Sequence, residues 1–254
     1  MMNMFSLNGK KAIITGGTRG LGKGIAEGLM EAGAEVTIIG SNENVYNVSN
    51  AFCNHGYKCH GVIADLSKSE NRHRAFQESL NFMKGLDILV NAAGIQKRHN
   101  CEDFPLADWD DVLNVNLNAP FELCQLAAKE FIKNNKRGKI INISSMLAFF
   151  GGCHVPAYAA SKGGITQMTK AFCNEWASKK INVNCIAPGY MDTDMNTALT
   201  NPDNPRYLEI TNRIPQKRWG TPEDMKGCAV FLASSASDYV NGAVIPVDGG
   251  YLVK

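Results

Sequence analysis

Short runs of apolar residues alternate along the chain with longer stretches in which apolar positions recur every three or four residues. The runs at 11–15, 35–39, 58–63, 86–90, 138–143, 181–186 and 243–247 read as strands, and the periodic stretches near 20–32, 43–54, 68–83, 106–134, 158–179 and 221–233 read as helices. A strand that is apolar at nearly every position must be covered on both faces. Strict alternation of such strands with helices predicts a parallel, doubly wound sheet with helices on either side. No repeat or linker divides the 254 residues, so residues 1–254 are expected to form a single α/β domain. Between 190 and 218 the periodicity lapses into Pro202, Pro205 and Pro215 with several Asn and Asp residues. A loop that long is usually functional, and here it predicts a lid over a bound small molecule.

Composition adds mostly exclusions. With 44% hydrophobic and 20% charged residues and a net charge of +2, nothing suggests a nucleic-acid or membrane partner. No run approaches the ~18 apolar residues of a membrane span. The N-terminal Met1-Met-Asn-Met-Phe-Ser-Leu lacks the basic flank and apolar core of a signal peptide, so the protein is expected to be cytoplasmic. Eight cysteines, scattered without a CxxC pair, read as reduced thiols used as small apolar residues. Cys53, His55, Cys59 and His60 bring metal-ligand chemistry together, but in a spacing that fits no zinc pattern, and no metal is expected.

Two segments carry chemistry. In Tyr158-Ala-Ala-Ser-Lys162 the four-residue step puts the phenol and the ammonium on one helical face. A nearby cation stabilises a phenolate and so lowers a tyrosine pKa from its usual ~10, which would make Tyr158 an acid/base near neutrality. Ser145 ends the apolar run Lys139-Ile-Ile-Asn-Ile and would hold a substrate oxygen at a strand's carboxyl end. Near the N-terminus, Lys11-Ala-Ile-Ile-Thr runs into Gly16, Thr18, Arg19, Gly20, Leu21 and Gly22 and then into a helix. Glycines allow a tight turn and close approach of a pyrophosphate to the helix N-terminus.

Together these residues resemble the short-chain dehydrogenase/reductase family over nearly the whole chain. Asp65-Leu66 is similar to its adenine-side aspartate, and Asn91-Ala92-Ala93-Gly94 to its Asn-Asn-Ala-Gly segment with the second Asn replaced. Asn116 is similar to its active-site asparagine, and Pro188-Gly189-x3-Thr193 to its nicotinamide-side loop. The resemblance implies a Rossmann fold of seven parallel strands in the order 3-2-1-4-5-6-7, hydride transfer with NAD(P)(H), and a homotetramer built on the long helices and the C-terminal region. It implies Asn116, Ser145, Tyr158 and Lys162 as the catalytic set. Tyr158 would be the acid/base, Ser145 would orient the substrate oxygen, Lys162 would also bond the nicotinamide ribose, and Asn116 would hold a relay water. The remaining cofactor contacts would come from the glycine turn, Ser41, Asp65, Leu66, Asn91, Ala92, Gly94, Pro188, Gly189 and Thr193.

The second strand ends Ile39-Gly40-Ser41-Asn42 without the carboxylate that would bond a ribose 2′-OH, while Arg19 could reach a 2′-phosphate, which favours NADP(H) slightly. The segments Gly94-Ile-Gln-Lys-Arg-His, Ser145 to Tyr158 and Arg213-Ile-Pro-x-x-Arg-Trp-Gly220 resemble the sugar-acid branch of the family, the 2-deoxy-gluconate 3-, 2-dehydro-3-deoxy-gluconate 5- and gluconate 5-dehydrogenases. That implies a sugar-acid substrate whose carboxylate is held by Arg98, with Lys97, His99 or His154 as helpers. A 3-oxoacyl-carrier-protein reductase is the alternative within the family. A dinucleotide-sensing protein without turnover is the alternative outside enzymes.

Overall fold

The structure, a computed structural model, describes residues 4–201 and 203–254. Residues 1–3 of the N-terminal reading and Pro202 of the expected lid lie outside the described residues. Strands β1 (Lys11–Thr15), β2 (Glu35–Gly40), β3 (Cys59–Ile63), β4 (Ile88–Asn91), β5 (Gly138–Ile143), β6 (Ile181–Pro188) and β7 (Val244–Val247) form one parallel sheet in the order β3-β2-β1-β4-β5-β6-β7. This is the doubly wound, seven-stranded order expected. Helices α1 (Gly20–Glu31), α2 (Asn44–Asn54), α3 (Ser69–Met83), α4 (Leu106–Leu113), α5 (Ala119–Lys133), α6 (Pro156–Trp176), α7 (Thr197–Thr200), α8 (Pro205–Arg213) and α9 (Pro222–Ala233) complete it.

The apolar runs are continuous because each strand feeds two cores. Adjacent residues Ile13 and Ile14 of β1, both fully buried, belong to opposite clusters. Ile14 packs with Ile25 and Leu29 of α1 and Met225 and Leu232 of α9, whereas Ile13 packs with Phe76 of α3, Leu123 and Phe131 of α5 and Phe172 of α6. Each such side chain contributes about 1.5–3 kcal/mol through burial. On the first face α1 and α9 come unusually close. A Cβ on Gly24 or Gly28 would meet Pro222 or Lys226 at 2.6 or 2.8 Å, and Lys226 pairs with Glu27, Glu31 and Glu223.

Two stretches depart from the sequence reading. The helix expected over 106–134 is broken by a π-helical turn at Asn114–Asn118, which adds a residue to one turn between α4 and α5. The stretch 190–218 is not a bare loop but holds a 3₁₀ turn at Asp194–Asn196 followed by α7 and α8. Its periodicity was too thin to read because α8 buries only Ile210. The start of α8 was nevertheless written in Asn204-Pro205: the Asn204 side chain accepts from the Arg206 amide, and Pro205 takes the first helical position. Met191 bridges to Gly220, so the excursion leaves and rejoins the body at one place.

Candidate active site

A crevice of about 480 Å³ opens at the carboxyl ends of the strands, where the order reverses between β1 and β4. Gly16, Thr18, Arg19, Gly20, Leu21, Gly22, Ser41, Asp65, Leu66, Ala92, Gly94, Ser145, Tyr158, Lys162, Pro188, Gly189 and Thr193 all line it. Asn91, Asn116, Arg98 and His154 do not.

At one end the glycine turn forms a cradle that side chains would fill. A Cβ at Gly16, which has φ +68°, would lie 2.8 Å from the Ala93 Cα, and one at Gly22 would run into the Gly16 carbonyl. Helix α1 starts here with no side-chain cap and no acidic residue in its first turn. Its free N–H groups and positive dipole end therefore face the crevice, which suits a pyrophosphate. The Thr15 hydroxyl accepts from the amides of both Ala92 and Ala93 at 3.1 Å and ties the turn to the segment after β4.

At the other end β5 delivers Ser145 and α6 delivers Tyr158 and Lys162. Ser145 caps a 3₁₀ turn at Met146–Ala148 by accepting from the Leu147 amide, which fixes its Oγ. Lys162 is buried, donates to the Ile143 carbonyl at 2.7 Å and sits 5.5 Å from the centre of the Tyr158 ring. Burial pushes its pKa down to about 8, against a small opposing effect of the Cys185 thiol. The Tyr158 phenol is pushed up from its usual value by burial, while a hydrogen bond from Ser145 favours the phenolate. Burial thus outweighs the lowering expected from Lys162, whose ammonium bonds the Ile143 carbonyl and not the phenol. The turn carrying both residues is braced by two hydroxyls that sequence reading missed. Ser144 bonds the Lys162 carbonyl at 3.1 Å, and Ser161 bonds the Tyr158 carbonyl at 2.7 Å.

The two asparagines act from behind the crevice wall. Asn116, fully buried in the π-helical turn, accepts from the Ile95 amide and donates to the Ile95 carbonyl, both at 2.9 Å, and donates to Ser161 Oγ at 3.2 Å. These contacts occupy both ends of its amide and join the segment after β4 to α6. A Cβ on Gly94 would sit 3.4 Å from Asn116 and 3.7 Å from the Lys162 ammonium, so this glycine is the thin wall between crevice and clamp. Asn91 is likewise buried, with its amide donating to Asn142 at 2.8 Å between β4 and β5. A strand-end asparagine read from sequence alone gives no sign of whether it faces a ligand or a neighbouring strand.

A family model described as Enoyl-(Acyl carrier protein) reductase matches residues 16–252. The 2-dehydro-3-deoxy-D-gluconate 5-dehydrogenase of Dickeya dadantii is 46% identical over 257 residues, covering 100% of both chains. The chain belongs to the short-chain dehydrogenase/reductase family. Its relatives also include a 3-oxoacyl-(acyl-carrier-protein) reductase of Aquifex aeolicus, 39% identical over 96% of this chain and 98% of that one. The crystal structure of a gluconate 5-dehydrogenase from Burkholderia cenocepacia, in complex with NADP and tartrate, superposes with a TM-score of 0.94 at 37% identity, covering 99% of this chain and 98% of that one.

In this short-chain dehydrogenase/reductase the region beside Ser145 and Tyr158 is basic but mostly neutralised. Lys97 and His99 both reach Asp108 of α4, at 3.1 and 2.6 Å, and together they hold its carboxyl below the usual carboxylate range. Arg98 between them is exposed and, among the described residues, donates to Gln96 alone. The His99 amide donates to the His154 carbonyl, so the expected carboxylate segment and the Ser145–Tyr158 loop run side by side. His154 itself is exposed and adopts φ +63°. Sequence reading did not single out Asp111, which shares the crevice wall with Val115 at helical spacing, or Asp194, Met195 and Asn196 on the opposite side. Asp194 faces Arg19 across the mouth at 3.3 Å. The four tempting metal-ligand residues do not converge on one point among the described residues: Cys53 donates to the Cys59 carbonyl, His55 contacts Ala51, and His60 stacks on Phe82.

Proposed function

We propose that this protein interconverts a secondary alcohol and a ketone on one carbon of a sugar acid, of the 2-deoxy-gluconate, 2-dehydro-3-deoxy-gluconate or gluconate type, with NADP(H) as the preferred dinucleotide. The observation that carries the proposal is one crevice joining an uncapped, glycine-rich helix N-terminus to Ser145, Tyr158 and Lys162. The full-length likeness to a 2-dehydro-3-deoxy-D-gluconate 5-dehydrogenase supports the substrate class. Supporting NADP(H) are the missing carboxylate at the end of β2, where Ser41 stands, and Arg19 on the crevice wall.

The residues present fit a nicotinamide dinucleotide: glycines keep the cradle open, and the N–H groups of α1 are free to meet phosphates. When bound, the dinucleotide accepts or supplies the hydride. The chain's own work is with the proton and with position. Ser145 holds the substrate oxygen against Tyr158, which takes the hydroxyl proton in oxidation and returns it in reduction. Lys162, with a pKa of about 8, remains mostly an ammonium at neutrality and would bond a ribose hydroxyl with an N–H that the Ile143 carbonyl leaves free. Asn116 keeps Ile95 and Ser161, and through them both walls of the catalytic end, in register. Arg98, which among the described residues has no carboxylate partner, takes the substrate carboxylate through its planar fork, with His154, whose carbonyl meets the neighbouring His99 amide, as a helper.

The protein is proposed to work in the cytosol as a homotetramer. No described helix is long and apolar enough to cross a membrane. In support of assembly, Phe121 of α5 is 42% exposed yet stacked on Phe172 of α6, which leaves an aromatic face for another subunit. Assay of purified protein with NAD+ and NADP+ against hexonates and deoxy-hexonates tests the proposal. Turnover of acyl thioesters but not hexonates would replace it with a carrier-protein reductase, and dinucleotide binding without any turnover would leave a sensor.

A further inference from the structure

Among the described residues, five charged side chains line the crevice: Arg19, Asp65, Asp111, Lys162 and Asp194. Lys162 is committed to the catalytic end through the Ile143 carbonyl, so among the described residues Arg19 is the one cation on the crevice wall at the dinucleotide end. Its guanidinium is not idle. Nη1 bonds Oδ2 of Asp194 at 3.3 Å, across the mouth of the crevice, from the glycine turn to the first turn of the lid segment. Asp65, the other acid near this end, has its Oδ1 engaged by the amide and hydroxyl of Ser67.

We infer that Asp194 is a specificity residue for the dinucleotide: it competes with a 2′-phosphate for Arg19, and it does not touch a dinucleotide that lacks one. The inference rests on the proposed role of Arg19 as the 2′-phosphate contact. Asp194 occupies Nη1 through one oxygen, so a phosphate that bonds the fork through Nη1 and a second nitrogen must take Nη1 from it. A phosphate dianion is the stronger partner, but its bidentate bond carries the cost of displacing Asp194 from Nη1, and a bare 2′-OH has no such cost. The pair is exposed, 74% and 68% at its two side chains, so the handicap is modest. Linkage makes it reciprocal: whatever factor Asp194 takes from NADP(H) affinity, NADP(H) takes from the hold of the glycine turn on the lid. The start of the lid segment is then held by a bond that involves no residue of the glycine turn, from Asn196 to the carbonyl of Met191, which itself bridges to Gly220.

The test is a fluorescence titration of NADPH and NADH on the full chain, in wild type, Asp194→Asn, Arg19→Gln and the double variant, with adenosine 2′,5′-bisphosphate and 5′-AMP as probes that carry no nicotinamide. Asp194→Asn is expected to tighten NADPH and the bisphosphate by about two- to fivefold, to leave NADH and 5′-AMP unchanged, and to lose this effect when Arg19 is already Gln. Hydrogen exchange at residues 194–200 should be faster with NADPH bound than with NADH bound. Equal tightening of NADPH and NADH, or a gain that persists without Arg19, would overturn the competition and reduce Asp194 to a general negative field. If Arg19→Gln weakens both dinucleotides alike, the 2′-phosphate role of Arg19 fails and the inference falls with it. Failure at Asp194 alone leaves that role standing.

Discussion

The Lys162 ammonium lies 5.5 Å from the centre of the Tyr158 ring, yet its hydrogen bond goes to the Ile143 carbonyl at 2.7 Å. Lysine and tyrosine thus share a turn of α6 without sharing a proton, and each has a pKa moved by burial in the direction that disfavours its charged form. The separation gives each residue its own prediction.

Replacing Tyr158 with Phe keeps the ring and removes the proton carrier. Turnover should fall by about 10²- to 10⁴-fold, with NADPH affinity retained in a fluorescence titration. Activity within a few-fold of wild type would remove Tyr158 from the proton transfer.

Ser145→Ala should raise the Tyr158 pKa further, because the serine hydrogen bond is what opposes the effect of burial. The phenolate is the form that accepts the alcohol proton. The alkaline rise in the rate of alcohol oxidation should therefore move to higher pH, in addition to any drop in the plateau. A lower plateau with an unmoved rise would mean that Ser145 acts on the substrate alone.

Lys162 carries a charge into the interior, and its folded pKa of about 8 lies below the 10.5 of an exposed lysine. The folded state therefore binds fewer protons than the unfolded state between these values. The destabilisation from this group is full below pH 8 and is relieved as pH rises towards 10.5. Compared with Lys162→Met, the wild type should gain in Tm between pH 8 and 10. The same variant should lower turnover and weaken dinucleotide binding, and unchanged affinity would cancel the ribose contact.

Arg98→Leu should raise the hexonate KM at least tenfold, equivalent to about 1.4 kcal/mol, while a neutral ketone is reduced nearly as before. Equal losses on both would make Arg98 a support for the neighbouring loop, where the His99 amide meets the His154 carbonyl.

Most of the frame was legible because a sheet covered on both faces writes itself as uninterrupted apolar runs, and Ile13 and Ile14 show why both faces of β1 had to be apolar. The crevice was legible where local geometry dictates residue type, as at Gly16 with its positive φ and at the helical step from Tyr158 to Lys162. Contacts between distant segments were not legible. Asn91 and Asn142 are 51 residues apart, and Asn116 meets Ile95 and Ser161 from the middle of a helix whose apolar pattern gave no sign of a π-helical turn. The ion pair between Arg19 and Asp194 spans 175 residues and joins the glycine turn to the expected lid, two segments that sequence reading assigns to a ligand separately and not to each other. The direction of the Tyr158 shift was missed for a related reason: neighbours in sequence reveal a possible partner but not the depth of burial.

The extra residue at Asn114–Asn118 lets one long rod keep two phases. Upstream, α4 turns Asp108 towards Lys97 and His99; downstream, α5 turns Leu123, Cys124, Ala127 and Phe131 into the core. Removing a single residue from that turn would rotate one half against the other by about 100°. Because the downstream half is locked in the core, the rotation would fall on α4, and Asp108 would swing away from both bases. Length in this stretch is therefore a coded quantity. A one-residue deletion in this turn would disturb the placing of Asp108, Lys97 and His99 more than many substitutions made among them.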